Sequence, residues 1–163
     1  MDEGVFELSP EQCAIRTLLE ETDSHYFITG KAGTGKTVLL RAFVQKTRKR
    51  VVVLAPTGLA AIQVQGQTIH AFFGLSPAVQ TTGNPEDTQA SMTQNRCEML
   101  RRLDAIVIDE ISMVRADVMD KMDRMLRAAR ENRHPFGDCQ MIFFGASDFI
   151  IQIEQDNDIH DIH

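Results

Sequence analysis

The segment from Gly30 to Thr37 carries the strongest chemical signal in the chain. It fits the pattern G-x-x-x-x-G-K-[ST], in which glycines let successive backbone N–H groups curve around a phosphate. We expect Lys36 to reach the β- and γ-phosphates, and the Thr37 hydroxyl to bind Mg²⁺. The alternative is an ordinary glycine-rich turn before a helix. The pattern predicts an ATP site with contacts from Gly30, Gly33, Thr34, Gly35, Lys36 and Thr37.

A pair of adjacent acids, Asp109 and Glu110, follows the apolar run Ala105–Ile108. Ligands of open α/β sheets bind at the carboxyl ends of strands, so we expect Asp109 to hold Mg²⁺ directly or through water. Glu110 is then placed to orient or deprotonate a water that attacks the γ-phosphate. Lys36 and Glu110 are therefore the predicted catalytic residues. An acid pair alone is usually a solvated turn, and a P-loop kinase is a less favoured alternative.

Gln12 has two competing interpretations. Ser9-Pro10-Glu11-Gln12 matches a capping box, with Ser9 as the N-cap and proline at the first helical position. The Gln12 amide has both a donor and an acceptor, so it could instead pair with the edge of an adenine. The residues alone favour the cap.

Thr57, Gly58 and His70 follow the second predicted strand and are uninformative in isolation. Thr57 could cap a helix, and His70 could be a partly buried imidazole. Alternatively, they could donate hydrogen bonds to the phosphates of a single strand. Two basic runs, Lys46–Arg50 and Arg96–Arg102, are of a kind that most often forms solvated faces.

The elements that must position these residues alternate along the chain. Four short, uninterrupted apolar runs predict buried strands of a parallel sheet: Tyr26–Thr29, Val51–Ala55, Ala105–Ile108 and Met141–Phe144. Helical periodicity covers Lys36–Thr47 and Ala116–Arg130, where the methionines are expected to fill the core. Ser76–Asn95 lacks a period and predicts a loop. Alternating strands and helices predict an α/β fold.

Composition sets the limits on class. With 163 residues, 43% hydrophobic and 25% charged, the chain is expected to fold as one globular domain. The three cysteines lack the paired spacing of zinc or redox sites, and no apolar run or leader indicates a membrane or secretion. We therefore expect a cytoplasmic protein. Five acidic residues and no Lys or Arg follow Gly145, so the part of the chain before Gly145 has a net charge close to zero. Any nucleic-acid site must therefore be a local patch of positive charge.

The order of these motifs resembles the Pif1-type DNA helicases of superfamily 1B, which also includes the RecD-like enzymes. The resemblance covers about residues 8–145 and implies a RecA-like P-loop NTPase over 1–145, a mostly parallel sheet with helices on both faces. It implies an ATP-driven motor that moves 5′ to 3′ on single-stranded DNA, with Gln12 reading adenine. The residues that carry it are Gln12, Gly30 to Thr37, Ala55-Pro56-Thr57-Gly58, Thr68-Ile69-His70, Asp109-Glu110-Ile111-Ser112-Met113, Pro135-Phe136-Gly137 and Met141 to Gly145.

The resemblance also places Thr57, Gly58 and His70 on the DNA path. After the fourth strand, the family continues with Gly-Asp-x-x-Gln-Leu-Pro-Pro, whose glutamine senses the γ-phosphate. Here Gly145 is followed by Ala-Ser-Asp-Phe-Ile. Residues 146–163 are thus expected to form a divergent acidic tail, with a possible strand at its isoleucines and a solvated end.

A helicase of this type also uses a second RecA-like domain, which supplies arginines to the transition state. No residues remain to build one, so the chain is expected to be a fragment with slow turnover, completed by a second domain in trans. The alternative is a module that binds nucleotide or single-stranded DNA without productive hydrolysis.

Overall fold

The computed structural model describes residues 7–75 and 92–146, together with the backbone of residues 151–153 and 159–161. The helices are α1 (Pro10–Glu21), α2 (Lys36–Lys46), α3 (Gly58–Gln63), α4 (Ile69–Phe73), α5 (Gln94–Arg102) and α6 (Ala116–Arg130). The strands are β1 (His25–Thr29), β2 (Val51–Ala55), β3 (Gln67–Thr68), β4 (Ala105–Ile108), β5 (Gln140–Gly145), β6 (Ile151–Ile153) and β7 (Ile159–Asp161). Two 3-10 turns cover Ile111–Met113 and Pro135–Asp138.

All strands belong to one sheet, in the order β3-β2-β4-β5-β1-β6-β7. The first five are parallel, whereas β6 and β7 pair antiparallel. The four predicted strands are confirmed, and so is the α/β class. Residues 76–91 of the predicted loop over Ser76–Asn95 lie outside the part of the chain that the structure describes. Its last two residues form the start of α5.

The tail contributes backbone to this sheet. Strand β6 forms at the isoleucines, where a strand was considered possible, and pairs with β1. Residues 159–161 form β7, which pairs with β6 and satisfies backbone groups on its edge, and the solvated end stays a prediction. The division into 1–145 and 146–163 stays a prediction.

Helices cover both faces of the parallel strands. On β4, Ile106 and Ile108 join the core cluster that includes α6, while Ala105 and Val107 join the cluster of α1 and α2. All four residues of β4 are completely buried, which explains their uninterrupted apolar sequence. The predicted packing role of the α6 methionines is confirmed at Met122 and Met125. Among the described helices, none has the length and apolar character needed to cross a bilayer.

A buried polar network ties the loops at the amino-terminal edge of the sheet. The Lys49 side chain is only 12% exposed, and its Nζ donates to Gln140 Oε1 at 2.7 Å and to the carbonyls of Leu19 and Thr22. Gln140 Nε2 in turn donates to the carbonyls of Thr22 and Ser24 at 2.9 and 3.0 Å. The interpretation of Lys46–Arg50 as a solvated face is therefore wrong at Lys49, whose ammonium group donates hydrogen bonds to backbone carbonyls inside the fold.

Candidate active site

The phosphate loop connects β1 to α2 and its conformation depends on its glycines. Gly33 and Gly35 have φ values of 83° and 84°, in the left-handed region that side chains disfavour. A Cβ on Gly35 would lie 2.6 Å from Gln12 Nε2, and one on Gly30 would lie 2.6 Å from Thr34 Oγ1. The loop therefore requires glycine at positions 33 and 35, and a side chain at position 30 would displace that of Thr34. The loop ends at the amino terminus of a helix, where anions bind readily.

The side chains of the loop brace its backbone. Lys36 Nζ donates to the carbonyl oxygens of Gly30 and Lys31, the latter at 3.0 Å. Thr34 Oγ1 donates to the same Lys31 carbonyl at 2.8 Å. Thr37 is the second residue of α2 and is exposed. The loop thus gathers a fixed positive charge and two hydroxyl side chains at the start of α2.

Asp109 lies directly after β4 and is half-buried. Its N–H donates to the Leu54 carbonyl at 2.9 Å, which continues the pairing with β2 past the end of the strand. Burial is the largest influence on this carboxyl and raises its pKa; the charge of Glu110 raises the pKa further, whereas that of Lys36 lowers it. The phosphate loop follows β1 and the acid pair follows β4, so both lie at the carboxyl edge of the same parallel sheet.

Glu110 adopts a left-handed backbone conformation, with φ 54° and ψ 45°. Its carbonyl accepts from the N–H of Met113 at 3.0 Å, so the chain turns immediately into the 3-10 segment. A residue with a Cβ pays roughly 1–2 kcal/mol for this conformation, and such strain concentrates at functional sites. The side chain of Glu110 is exposed, in contrast to that of Asp109.

Gln12 serves the helix cap and also reaches the phosphate loop. Its N–H donates to Ser9 Oγ at 3.2 Å and its Oε1 accepts from Ser9 N at 3.0 Å, so the predicted capping box is confirmed. Its Nε2 lies 3.4 Å from the carbonyl oxygens of both Thr34 and Gly35. The two ends of one amide therefore contact different elements. The adenine contact stays a prediction.

Thr57 and His70 lie beyond β2 and β3, at the carboxyl edge of the sheet that also carries the phosphate loop. Thr57 Oγ1 accepts from Ala60 N at 3.2 Å and caps α3, as its structural interpretation predicts. Gly58 begins α3, and a Cβ there would meet no atom within 4 Å. His70 is half-buried within α4. Contact with DNA stays a prediction for all three residues.

Sequence reasoning missed two features of this edge. Leu59 and Ile62 of α3 are 71% and 75% exposed, although both are large and apolar. They are three residues apart and so lie on one side of the helix. Thr29, at the end of β1, carries a buried hydroxyl without a partner among the described residues. The sequence held no signal for Thr29, because the motif begins one residue later.

The sequence profile of the PIF1-like helicases matches residues 7–161 of the chain. The chain belongs to the PIF1-like helicase family. The ATP-dependent DNA helicase PIF1 of Saccharomyces cerevisiae (strain YJM789) is 39% identical over 145 residues, which cover 85% of this chain and 16% of the yeast protein. This PIF1-like chain therefore spans about a sixth of the length of that relative.

Solved Pif1 structures share the fold. Bacteroides sp. Pif1 in complex with ADP-AlF4 superimposes with a TM-score of 0.77 at 38% identity, over 86% of this chain and 32% of that one. Bacteroides Pif1 bound to single-stranded DNA gives a TM-score of 0.72 at 37% identity, over 86% and 32% of the two chains. The predicted RecA-like fold of this PIF1-like chain is thus confirmed.

Proposed function

We propose that the chain is the ATP-binding and ATP-hydrolysing RecA-like domain of a Pif1-type helicase that moves 5′ to 3′ on single-stranded DNA. The observation that carries this proposal is the position of the phosphate loop, with Lys36, and of the half-buried carboxyl of Asp109 at the carboxyl ends of parallel strands of one sheet. It joins a phosphate-binding group to a metal-binding group at one edge of the sheet. The yeast relative, an ATP-dependent DNA helicase, supports the same activity.

Thr37 and Asp109 would hold Mg²⁺ in this site. Their hydroxyl and carboxylate oxygens are ligands that Mg²⁺ prefers. Burial raises the pKa of Asp109 by disfavouring its ionised form, and a bound cation would supply the positive charge that favours that form. When bound, the ion neutralises charge on the β- and γ-phosphate oxygens.

The chain's own residues would then perform three tasks. The loop N–H groups and Lys36 bind the β- and γ-phosphates, and Gln12 contacts adenine. A water oxygen attacks the γ-phosphorus as the bond to the bridging oxygen of ADP breaks. Glu110 accepts the proton that the water loses.

Single-stranded DNA would lie along the same edge of the sheet. Thr57 and His70 would donate hydrogen bonds to phosphates, and Gly58 would leave its backbone open to close approach. A second RecA-like domain, in trans, would supply the arginines that accelerate hydrolysis. A cytoplasmic location stays a prediction from the sequence.

Calorimetry with Mg·ATP, combined with thermal melting, tests the nucleotide site. At about one hundred times Kd, ATP should stabilise the parent chain by about 2.7 kcal/mol, and Lys36→Ala should abolish the shift. Lys31→Ala is the matched control, because Lys31 contributes its carbonyl and not its side chain to the loop contacts above. An equal melting shift in the parent and Lys36→Ala would contradict the assignment.

A second candidate function is a binding module without productive hydrolysis. The observation that favours it is the sequence after Gly145, which lacks the Gln-containing sensor segment. Single-turnover hydrolysis with and without single-stranded DNA separates the two. A motor domain should be stimulated by the DNA, whereas a passive binder should show the same rate in both conditions.

A further inference from the structure

Helix α3 carries proposed DNA contacts at its amino end, where Thr57 is the N-cap and Gly58 is the first residue. Of its six residues, only Ala60 and Ala61 are buried, and with Ala55 they form a small cluster apart from the two large ones. Its two large apolar side chains are exposed. Elements that bury little apolar surface open locally at a small free-energy cost. We therefore expect α3 to open more readily than the helices of the two large clusters.

The carboxyl end of α3 is joined to α2 by the side chain of Arg41. Backbone N–H groups of the turn that follows α3 donate to the carbonyls of Ala60, Ala61 and Ile62. The carbonyl of Gln63, the last residue of the helix, instead accepts from Arg41 Nη2 at 2.7 Å. Arg41 thus supplies a donor to a helix end that lacks one of its own, and this donor comes from a different helix.

The helix that supplies Arg41 is the one that begins in the phosphate loop. Arg41 is the sixth residue of α2, which starts at Lys36, and its neighbours Leu40 and Ala42 are buried. Val64, the C-cap residue of α3, joins the same core cluster as α2. The phosphate-loop helix is therefore tied to the carboxyl end of α3, whereas the proposed DNA contacts lie at the amino end of α3.

We propose that Arg41 is a positioning residue that couples the nucleotide site to the DNA contacts by holding α3 against α2. This inference rests on the function proposed above. A nucleotide orders the phosphate loop and the start of α2, and DNA phosphates at Thr57 and Gly58 order the start of α3. Because both ligands favour the state in which α3 is held, each should raise the affinity for the other. Arg41 touches neither ligand and acts through the two helices.

The test compares Arg41→Met with Arg41→Lys in the full chain, using a non-hydrolysable Mg·ATP analogue and a single-stranded oligonucleotide of thymidines. Calorimetry gives the affinity for the analogue with and without the oligonucleotide, and hydrogen exchange follows the amides of residues 58–66. Met keeps an apolar stem but cannot donate, whereas Lys keeps a donor. Arg124→Met is the matched control, because Arg124 is exposed on α6 and its side chain has no hydrogen bond or ion pair within the described ranges.

In the parent chain, the oligonucleotide should tighten binding of the analogue at least about fivefold, and the analogue should slow exchange of residues 58–66 by a similar factor. Arg41→Met should reduce both effects to less than about twofold, while its affinity for the analogue without DNA stays within about twofold of the parent value. Arg41→Lys should recover part of both effects, and Arg124→Met should keep them in full. The melting temperature of Arg41→Met should fall by at most about 3 °C, because the lost hydrogen bond is exposed.

Three results would overturn the inference. Parent-like coupling and exchange in Arg41→Met, whatever its melting temperature, would show that Arg41 only caps the end of α3. If the parent chain binds both ligands and neither affects the other, α3 does not link the two sites, although the proposed function stands. If the parent chain binds no nucleotide, the proposed function itself fails and the role of Arg41 falls with it.

Discussion

The side-chain Nε2 of Gln12 lies 3.4 Å from the carbonyl oxygen of Gly35, although 23 positions of sequence separate the two residues. The Oε1 of the same amide accepts from the N–H of Ser9 and completes the helix cap. The amino terminus of α1 and the phosphate loop are thus joined through one side chain. Its donor and acceptor ends can be separated by mutation.

Gln12→Glu should keep the cap and disturb the loop. Glutamate is a normal third residue of a capping box, so stability to urea should change by less than about 0.5 kcal/mol. Its carboxylate cannot donate to the carbonyls of Thr34 and Gly35, so Mg·ATP affinity should fall about tenfold. Calorimetry and urea unfolding check the two effects. Gln12→Ala is the control that should also lose about 1 kcal/mol of capping.

Glu110→Gly should stabilise the fold while ending hydrolysis. Glycine adopts the left-handed conformation freely, and after its greater entropy in the unfolded chain the net gain should be about 0.5–1 kcal/mol. Glu110→Gln should remove hydrolysis without that gain, and both variants should bind Mg·ATP. Urea unfolding and single-turnover phosphate release measure the two effects.

Glu131→Gly is the matched control for Glu110→Gly. Glu131 has φ 52° at the end of α6, and its side chain is 79% exposed in an ion pair with Arg101. Because such exposed pairs contribute little, the variant should also gain stability, but its hydrolysis should equal that of the parent. Equal hydrolysis in Glu110→Gln and the parent would remove Glu110 from its proposed role.

His25 should make the fold sensitive to mild acid. Burial lowers the pKa of this imidazole below its ordinary value of 6.5, and the charges of Asp138 and Asp123 oppose the shift. Its Nδ1 accepts from Met141 N at 3.0 Å, which requires the neutral ring. The stabilisation is present above pH 6.5 and is lost as the pH falls from there through the lowered pKa.

Urea unfolding between pH 5 and 8 measures the contribution of His25. Stability of the parent should decline on the acid side of pH 6.5, and His25→Asn, which cannot be protonated in this range, should flatten that part of the profile. Identical slopes for the two proteins would show that His25 does not control the acid response.

Lys49→Met should be strongly destabilising. It deprives Gln140 Oε1 and the carbonyls of Leu19 and Thr22 of a common donor, so roughly 2–4 kcal/mol should be lost in urea unfolding. Lys46→Met, at an exposed position of the same basic run, should change stability by less than about 0.5 kcal/mol. Similar losses in both variants would contradict the network's role.

The central strands could be predicted because helices cover both faces of the sheet. Each residue of β4 is buried, and a strand buried on both faces has an uninterrupted run of apolar residues in its sequence. The phosphate loop could also be predicted from the sequence, because glycine is needed there for the conformation of the loop itself. Strand β3 has only two residues and carries no periodicity to detect.

The remaining features depend on contacts between distant parts of the chain. Lys49 looks like its exposed basic neighbours until Gln140, 91 residues away, is brought beside it. The Thr29 hydroxyl is buried without a partner among the described residues only in the folded chain, where strand pairing places Thr29 beside Gly145. Composition and spacing describe a residue's chain neighbours, whereas these properties arise from its neighbours in space.

The tight packing over Gly145 restricts what natural variation can do at this position. Even an alanine methyl would press on Ile111 and Phe27, and Ile111 is covalently joined to Glu110. A substitution on β5 would therefore be transmitted to the turn that aims the Glu110 carboxylate, without touching any charged group. We therefore expect position 145 to tolerate a residue larger than glycine only when the opposing turn, which contains Ile111, changes as well.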